Sequence, residues 1–245
     1  GYGPNAPALL KLADEGARVA ITVDCGISAF EPLQAAADAG LDVIVVDHHE
    51  AEAALPVAFA VINPNRLDED RALGYLAAVG VAYLLVVATN RELRLRGWYQ
   101  DKHAEPDLLQ WLDIVALGTV CDVVPLKGLN RAFVFQGLKV MARRGNAGLA
   151  ALSDVAGLDR KPEAYHAGFV LGPRINAGGR VGRAGAGARL LCTDDPIEAQ
   201  RIAGELDGFN AERRAIEAAV QQAALERALE DEDNSPIAVI AGAGW

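Results

Sequence analysis

Two apolar, β-branched runs, RVAITVD at 18–24 and LDVIVVD at 41–47, stand one helix length apart, and that spacing restricts the folds open to the chain. Val43 to Val46 contain no polar alternation, so a strand there leaves no face for water and must be covered on both sides. The same reading makes Arg18 to Asp24 a second buried strand. Between them, Ser28 followed by Glu31 is a capping-box pattern that predicts a helix running to about Ala39, and Gly40 predicts its end. A third apolar stretch, Val57 to Ile62, closes at Asn63-Pro64. Strand, helix, strand in this order is a βαβ unit, so the fold class is α/β with a sheet that is at least partly parallel. Asp24 and Asp47 then fall at the carboxyl edge of that sheet, where ligands bind in open α/β folds.

Composition narrows the function classes. At 245 residues, 51% hydrophobic and 23% charged, the chain has enough apolar material for a full core. No run approaches the roughly 18 to 20 apolar residues of a membrane span, and GYGPNAPALLKLADEG lacks the basic-then-apolar order of a signal peptide, so a soluble, cytoplasmic protein with no membrane partner is expected. Cys25, Cys121 and Cys192 are too scattered for a disulfide framework or a CxxC zinc site. A formal charge of -10 excludes a binder coated in Lys and Arg, so any contact with a polyanion must be local.

Further along, the apolar spacing turns helical from about Ala72 to Arg96, again over Leu108 to Leu117, and at Arg131 to Arg143, Ala147 to Val155 and Glu163 to Val170. Thr193-Asp194-Asp195-Pro196 with Glu198 predicts a helix start, and the charged stretch that follows carries the helix to Asp231. A helix this long and polar on one side usually bridges lobes. PIAVIA at 236–241 reads as a fresh strand.

Three stretches place ionisable groups after apolar runs: TVDCG with Asp24, VVDHHE with Asp47, His48 and His49, and ALGTVCDVVPL with Asp122. Carboxylates and imidazoles without an obligatory thiolate suit Mn²⁺ or Mg²⁺ better than structural zinc. A lone Asp after a strand is more often a turn or helix cap, and Asp122 alone is ordinary core with one polar position. The adjacent histidines with Asp47 point to a metal or phosphate role, with a hydrogen-bonded loop as the plainer alternative. GPRINAGGRVGRAGAGAR, residues 172–189, holds Arg174, Arg180, Arg183 and Arg189 among glycines and no acid, which makes it either a local anion site containing Asn176 or a flexible loop with solvated arginines. Cys25 and Cys121 read as small packed thiols, and Arg91, Arg94 and Arg96 beside Trp98 and Tyr99 as a solvated helix end.

TVDCG, VVDHHE, LGTVCDVVPL and GPRINAGGR in this order resemble the DHH phosphoesterase superfamily, in particular its single-strand-specific 5′ to 3′ DNA exonucleases. GYGPN, INPNR at 62–66 and FNAERRAIE at 209–217 extend the resemblance over nearly the whole chain. The likeness implies a parallel-sheet DHH phosphoesterase core with a helical subdomain and a long connecting helix: a DHH domain over 1–194, a connecting helix over 195–233, and at 234–245 the first strand of a DHHA1-like domain. It implies Asp24, His48 and Asp122 as ligands of a two-metal Mn²⁺ or Mg²⁺ site, His49 facing the scissile phosphate, Asp47 orienting its neighbours, and Arg174, Asn176 and Arg180 contacting phosphate. The family's domain opens with a strand bearing Asp-x-Asp upstream of GYG, so an internal piece of a longer chain, weakly active by itself, is expected. Single-stranded DNA is the implied substrate, with single-strand-binding protein and a helicase as implied partners. Gly179 and Cys121 stand where Ala is usual. Two alternatives share these motifs: a relative acting on oligoribonucleotides, cyclic dinucleotides or pyrophosphate, and a non-catalytic DNA-binding relative.

Overall fold

The computed structural model describes residues 3–100, 103–180, 185–230, 237, 239–242 and 244–245, with the side chains of 180 and 230 excepted. These form two compact units: residues 1–143 with 162–167, and residues 144–161 with 168–245.

In the first unit Asn5 accepts the N–H of Ala8 at 3.0 Å and starts α1 (Ala6–Asp14). β1 (Val19–Val23), α2 (Phe30–Asp38), β2 (Asp42–Val46) and β3 (Ala60–Ile62) follow, and the strands pair in parallel in the order β1-β2-β3. The unbroken apolar run of β2 finds its explanation in this order. Val43 and Val45 pack with Leu9, Leu33, Ala36 and Leu41 on one side of the sheet. Val46 packs with Leu76, Val81, Leu112, Val115 and Phe133 on the other, with Ile44 beside it.

The expectation for Arg18 to Asp24 needs correction. β1 is an edge strand, and Val19, Ile21 and Val23 on its outer positions are 49–56% exposed. Its apolar composition resembles that of β2, but its neighbours leave these positions about half exposed. The capping box is also absent: α2 begins at Phe30 after Ala29, and no side chain caps it. The turn before it is held from the sheet, because Ile27 donates its N–H to Asp47.

Helix α3 (Ala78–Leu95) starts later than its apolar spacing predicts, and residues 72–75 form turns just ahead of Leu76, whose carbonyl the site uses. Asp107 caps a 3₁₀ turn at Leu108–Trp111, which leads into α4 (Leu112–Cys121). Helix α5 (Gly128–Met141) lies so close to α4 that a Cβ on Gly137 would stand 2.0 Å from the carbonyl oxygen of Leu112.

Asp113 is buried in the first turn of α4, and burial pushes its carboxyl above the usual range despite the Ile114 N–H at 2.8 Å. A raised folded-state pKa means that the folded chain holds this proton more tightly than the unfolded one. Its stabilising contribution is present below the unfolded carboxylate pKa and is lost as pH rises through that value to the raised one. Asp113→Asn is therefore expected to be more stable than wild type at neutral pH and to flatten the fall between acid and neutral pH. Urea unfolding across that window checks it; parallel profiles for the two proteins would remove Asp113 as the cause.

In the second unit Asn146 caps α6 (Ala147–Val155) through the N–H of Leu149 at 2.8 Å. The helix expected at 163–170 is instead largely a π-helical turn, His166–Leu171, ahead of α7 (Gly172–Arg180). Pro173 has no N–H to return to the carbonyl four residues earlier, so a regular α ladder is interrupted there. The glycine-rich stretch is helical at α7 and again at α8 (Ala186–Cys192), and residues 181–184 lie outside the described set. One of its glycines serves close packing: a Cβ on Gly187 would meet Ile175 at 2.8 Å, whereas Gly179 and Gly185 face open space. Arg183 lies outside the described residues.

Helix α9 (Pro196–Glu230) buries Ala199, Ile202, Ala203, Leu206 and Asn210 at helical spacing, while Ile216, Leu225 and Leu229 are exposed. Its first half is thus part of the second unit's core. In the expected strand at 236–241, residues 236 and 238 lie outside the described set, and 237 and 239–241 are not in a strand.

Candidate metal centre

The site is assembled from the carboxyl edge of the sheet and one helix end. The N–H of Asp24 donates to Val46 O at 2.9 Å, adding a rung beyond β1, and the residue then turns with φ 63°. Gly26, at φ 116°, completes the turn where a Cβ would lie 2.8 Å from Thr22 Oγ1. Asp47 extends β2 in the same way, donating its N–H to Ile62 O at 3.0 Å.

The Asp47 carboxylate is fully buried and organises the whole turn. Oδ2 accepts the Ile27 N–H at 3.1 Å; Oδ1 accepts the N–H groups of His48 at 2.8 Å and His49 at 3.3 Å, and contacts His49 Nδ1 at 2.7 Å. Burial pushes this carboxyl up, but the hydrogen bonds from the His49 ring and the three backbone N–H groups outweigh it and hold the group below its ordinary value. The bond to Asp47 in turn raises His49, against the opposing effect of burial.

His48 supplies the decisive geometry. Its Nδ1 lies 3.0 Å from the carbonyl oxygen of Leu76, which only accepts, so Nδ1 carries the proton and Nε2 presents a lone pair. That Nε2 is buried, 3.2 Å from Asp24 Oδ1 and 3.5 Å from Asp122 Oδ2, and hydrogen-bonds to neither. Three electron-rich atoms face one another, an arrangement made attractive only by a cation or a second ring proton. The missing hydrogen-bond geometry favours the cation. Among the described residues the ligand atoms that all lie within 4.8 Å of one another are those of Asp24, His48 and His49; Asp122 is not in that group and reaches the centre through its 3.5 Å approach to His48 Nε2.

Asp122 enters from a place its apolar surroundings did not suggest. It caps the carboxyl end of α4, whose last turn has no basic residue, so the helix dipole disfavours its charge. Burial, and then the nearby Asp24, push its carboxyl up, opposed by His48 and His49. The next residue, Val123, is β-branched yet sits at φ 59°, a costly conformation adjoining the site. Cys25 and Cys121 border the centre, and burial, with nearby carboxylates, raises both thiols in the metal-free site.

Asparagines that motif reading left without roles hold this constellation. Asn63 Nδ2 donates to His49 O at 2.9 Å, and Asn65 Nδ2 donates to His48 O at 2.5 Å and to Gly74 O at 3.0 Å. Asn130 Nδ2 joins Tyr75 O at 2.7 Å to Pro125 O at 3.1 Å, tying the turn before Leu76 to the loop after Asp122. INPN marked two of these positions in the sequence; the third lacked any local signal. Asn65→Ala is expected to weaken manganese affinity about tenfold, in line with other supporting residues at metal sites. Calorimetric titration would measure this, and an unchanged affinity would show that the His48 carbonyl needs no such anchor.

Arg174, Asn176 and Arg180 belong to the second unit. The Arg174 guanidinium is engaged there by Asp207 at 2.8 Å and Val170 O at 2.7 Å. Asn176 is exposed, and the Arg180 side chain lies outside the described residues. Arg94 and Arg96 are paired with Glu105 and Glu92, while Trp98 stacks on His103, as a solvated helix end requires. No described helix is long and apolar enough to cross a membrane.

Residues 3–119 match the DHH family, N-terminal domain. The single-stranded-DNA-specific exonuclease RecJ of Dickeya dadantii is 42% identical over 228 residues, which cover 92% of this chain and 40% of that protein. The crystal structure of exonuclease RecJ bound to manganese aligns with a TM-score of 0.80 at 35% identity, covering 93% of this chain and 55% of that one. RecJ from Thermus thermophilus in complex with Mn²⁺ aligns at 0.75 and 34% identity, over 92% of this chain and 32% of that one. The chain thus spans about 40% of the length of the Dickeya relative. With TVDCG, VVDHHE and LGTVCDVVPL meeting at the sheet edge and this likeness extending over nine-tenths of its residues, the chain belongs to the DHH family and groups there with RecJ.

Proposed function

We propose that this chain is the metal-binding core of a phosphodiesterase that removes nucleotides from the 5′ end of single-stranded DNA. The observation that carries the reading is the buried Nε2 of His48 facing Asp24 and Asp122. These three residues would hold Mn²⁺ or Mg²⁺, the ions present in the RecJ crystal structures. Such ions, when bound, stabilise charge on the phosphoryl oxygens and lower the pKa of a coordinated water. The chain's own groups provide orientation. Asp47 fixes the His49 ring, which faces the scissile phosphate, and Leu76 O fixes the tautomer of His48. Arg174, Asn176 and Arg180 form the phosphate-contacting segment. Because Arg174 is already engaged by Asp207, exposed Asn176 is the more accessible of the two described side chains.

The remaining metal ligands come, in this reading, from an Asp-x-Asp strand upstream, and a DHHA1-like domain begins near residue 234. Single-strand-binding protein and a helicase are the expected partners. The test is manganese-dependent release of nucleotides from 5′-labelled single-stranded and duplex DNA by the longer protein and by this chain. The longer protein should digest the single strand, with Asp122→Ala reducing release to background and the 245-residue chain much slower than the longer protein. Undiminished digestion by Asp122→Ala would overturn the assignment.

A further inference from the structure

Beside the His48 turn, within the same unit, lies an open cavity of ≈ 640 Å³ whose cations, Arg71 and Lys127, have no part in the metal centre described above. Glu50, Asn65, Arg71, Tyr75, Lys127 and Gly128 line it, together with Ala72 and Gly74. Its position is tied to the metal centre, because the Asn65 in its wall is the residue that holds the His48 carbonyl at 2.5 Å. Its shape is built: a Cβ on Gly74 would stand 2.4 Å from Asn65 Oδ1, and one on Gly128, at φ +49°, would stand 2.2 Å from the Tyr75 hydroxyl.

The charges are unequal. Glu50, the one acid in the lining, is gripped by Arg71 Nη2 at 2.6 and 2.5 Å, and Arg71 also reaches Asn65 Oδ1 at 3.3 Å. Lys127 makes no ion pair among the described residues; its ammonium lies 5.2 Å from the centre of the Tyr75 ring. The lining therefore carries a surplus cation although the whole chain has a charge of -10. Lys127 is also the N-cap position of α5, where no side chain caps the helix, its first turn has no acid, and the Leu129 N–H is taken by the Tyr75 hydroxyl at 3.1 Å. The positive end of the helix dipole and the ammonium thus coincide at one wall of the cavity.

We propose that this cavity is a phosphate subsite for the nucleotide next to the scissile bond, with Lys127 as its cation and the Tyr75 ring as an adjoining apolar surface for sugar or base. It rests on the phosphodiesterase reading for its substrate, but its binding can be measured without turnover. A subsite here would place a chain phosphate beside an otherwise acidic metal centre, so that Lys127 sets affinity for an oligonucleotide over a mononucleotide.

The experiment is fluorescence anisotropy of labelled oligo(dT) with the 245-residue chain in EDTA, over a series of salt concentrations, for wild type, Lys127→Met and Lys127→Arg. Lys127 is exposed, so the variants should keep the wild-type unfolding midpoint. Lys127→Met is expected to bind about three- to tenfold more weakly, and the slope of log K against log salt should shrink by about 0.7, the value for one lost phosphate contact on a single strand. Lys127→Arg should restore both. Inorganic phosphate should compete weakly and oligo(dT) strongly if the subsite reads a chain phosphate; equal competition by phosphate would reduce it to a general anion pocket and overturn the proposal. Failure of the wild type to bind oligo(dT), or identical affinity and slope in Lys127→Met, would overturn it as well. Lys127-dependent binding by a protein that never hydrolyses DNA would leave the subsite standing and remove the hydrolase reading instead.

Discussion

His48→Ala is expected to abolish the stabilisation that manganese gives this chain. A ligand that binds only the folded state stabilises it by RT ln(1 + [L]/Kd), about 4 kcal/mol at a thousandfold excess over Kd. Wild type should therefore unfold at higher temperature in Mn²⁺ than in EDTA, and His48→Ala should unfold at one temperature in both. A second variant separates the metal from the fold. Asp122→Asn removes a carboxylate that sits at a helix carboxyl end, 3.5 Å from His48 Nε2, in a cluster that also contains Asp24. It should lose most of the manganese effect while matching or exceeding wild-type stability in EDTA, because the metal-free repulsion is relieved. Equal manganese shifts in all three proteins would place the ion elsewhere.

Gly137→Ala should destabilise the first unit by about 3 kcal/mol, as insertion of a methyl group into a full interface does. Helix propensity alone predicts the opposite sign, a gain of roughly 1 kcal/mol for Gly to Ala in a helix interior. The new Cβ would stand 2.0 Å from Leu112 O and 2.5 Å from Ala116 Cβ, and the nearest of these is backbone that cannot rotate away. Helices α4 and α5 must separate, and α4 carries Asp122 at its end, so manganese affinity should fall along with the urea midpoint. Gly148→Ala, whose Cβ would lie 1.9 Å from Leu190 O, should destabilise the second unit without weakening manganese binding. A stabilised Gly137→Ala protein would mean that the two helices approach less closely than described.

The residues that could be read in advance were those whose surroundings are local in sequence. The β2 run had to be buried on both faces, and it is, because each alternate residue belongs to a different core cluster. β1 is less fully buried than the same inference expects, with Val19, Ile21 and Val23 about half exposed, since apolar content does not report how much of a strand's face its neighbours cover. Asp24 and the Asp47-His48-His49 turn stood out as polar groups directly following strands. Asp122 looked similar but ends a helix, and its nearness to His48 depends on the packing of α4, which no spacing rule expresses. Asn130 was illegible for the same reason: its partners, Tyr75 O and Pro125 O, lie on separate loops that only the tertiary fold brings together. The arginine-glycine stretch was only partly legible, because a glycine that permits close helix packing, as Gly187 does against Ile175, has the same composition as one in a phosphate loop.

The most direct test is a crystal of this chain soaked in Mn²⁺ and measured at the manganese absorption edge. An anomalous peak within coordination distance of His48 Nε2, Asp24 and Asp122 is the predicted result. A peak elsewhere, or those three side chains in separate surroundings with no manganese between them, would contradict it.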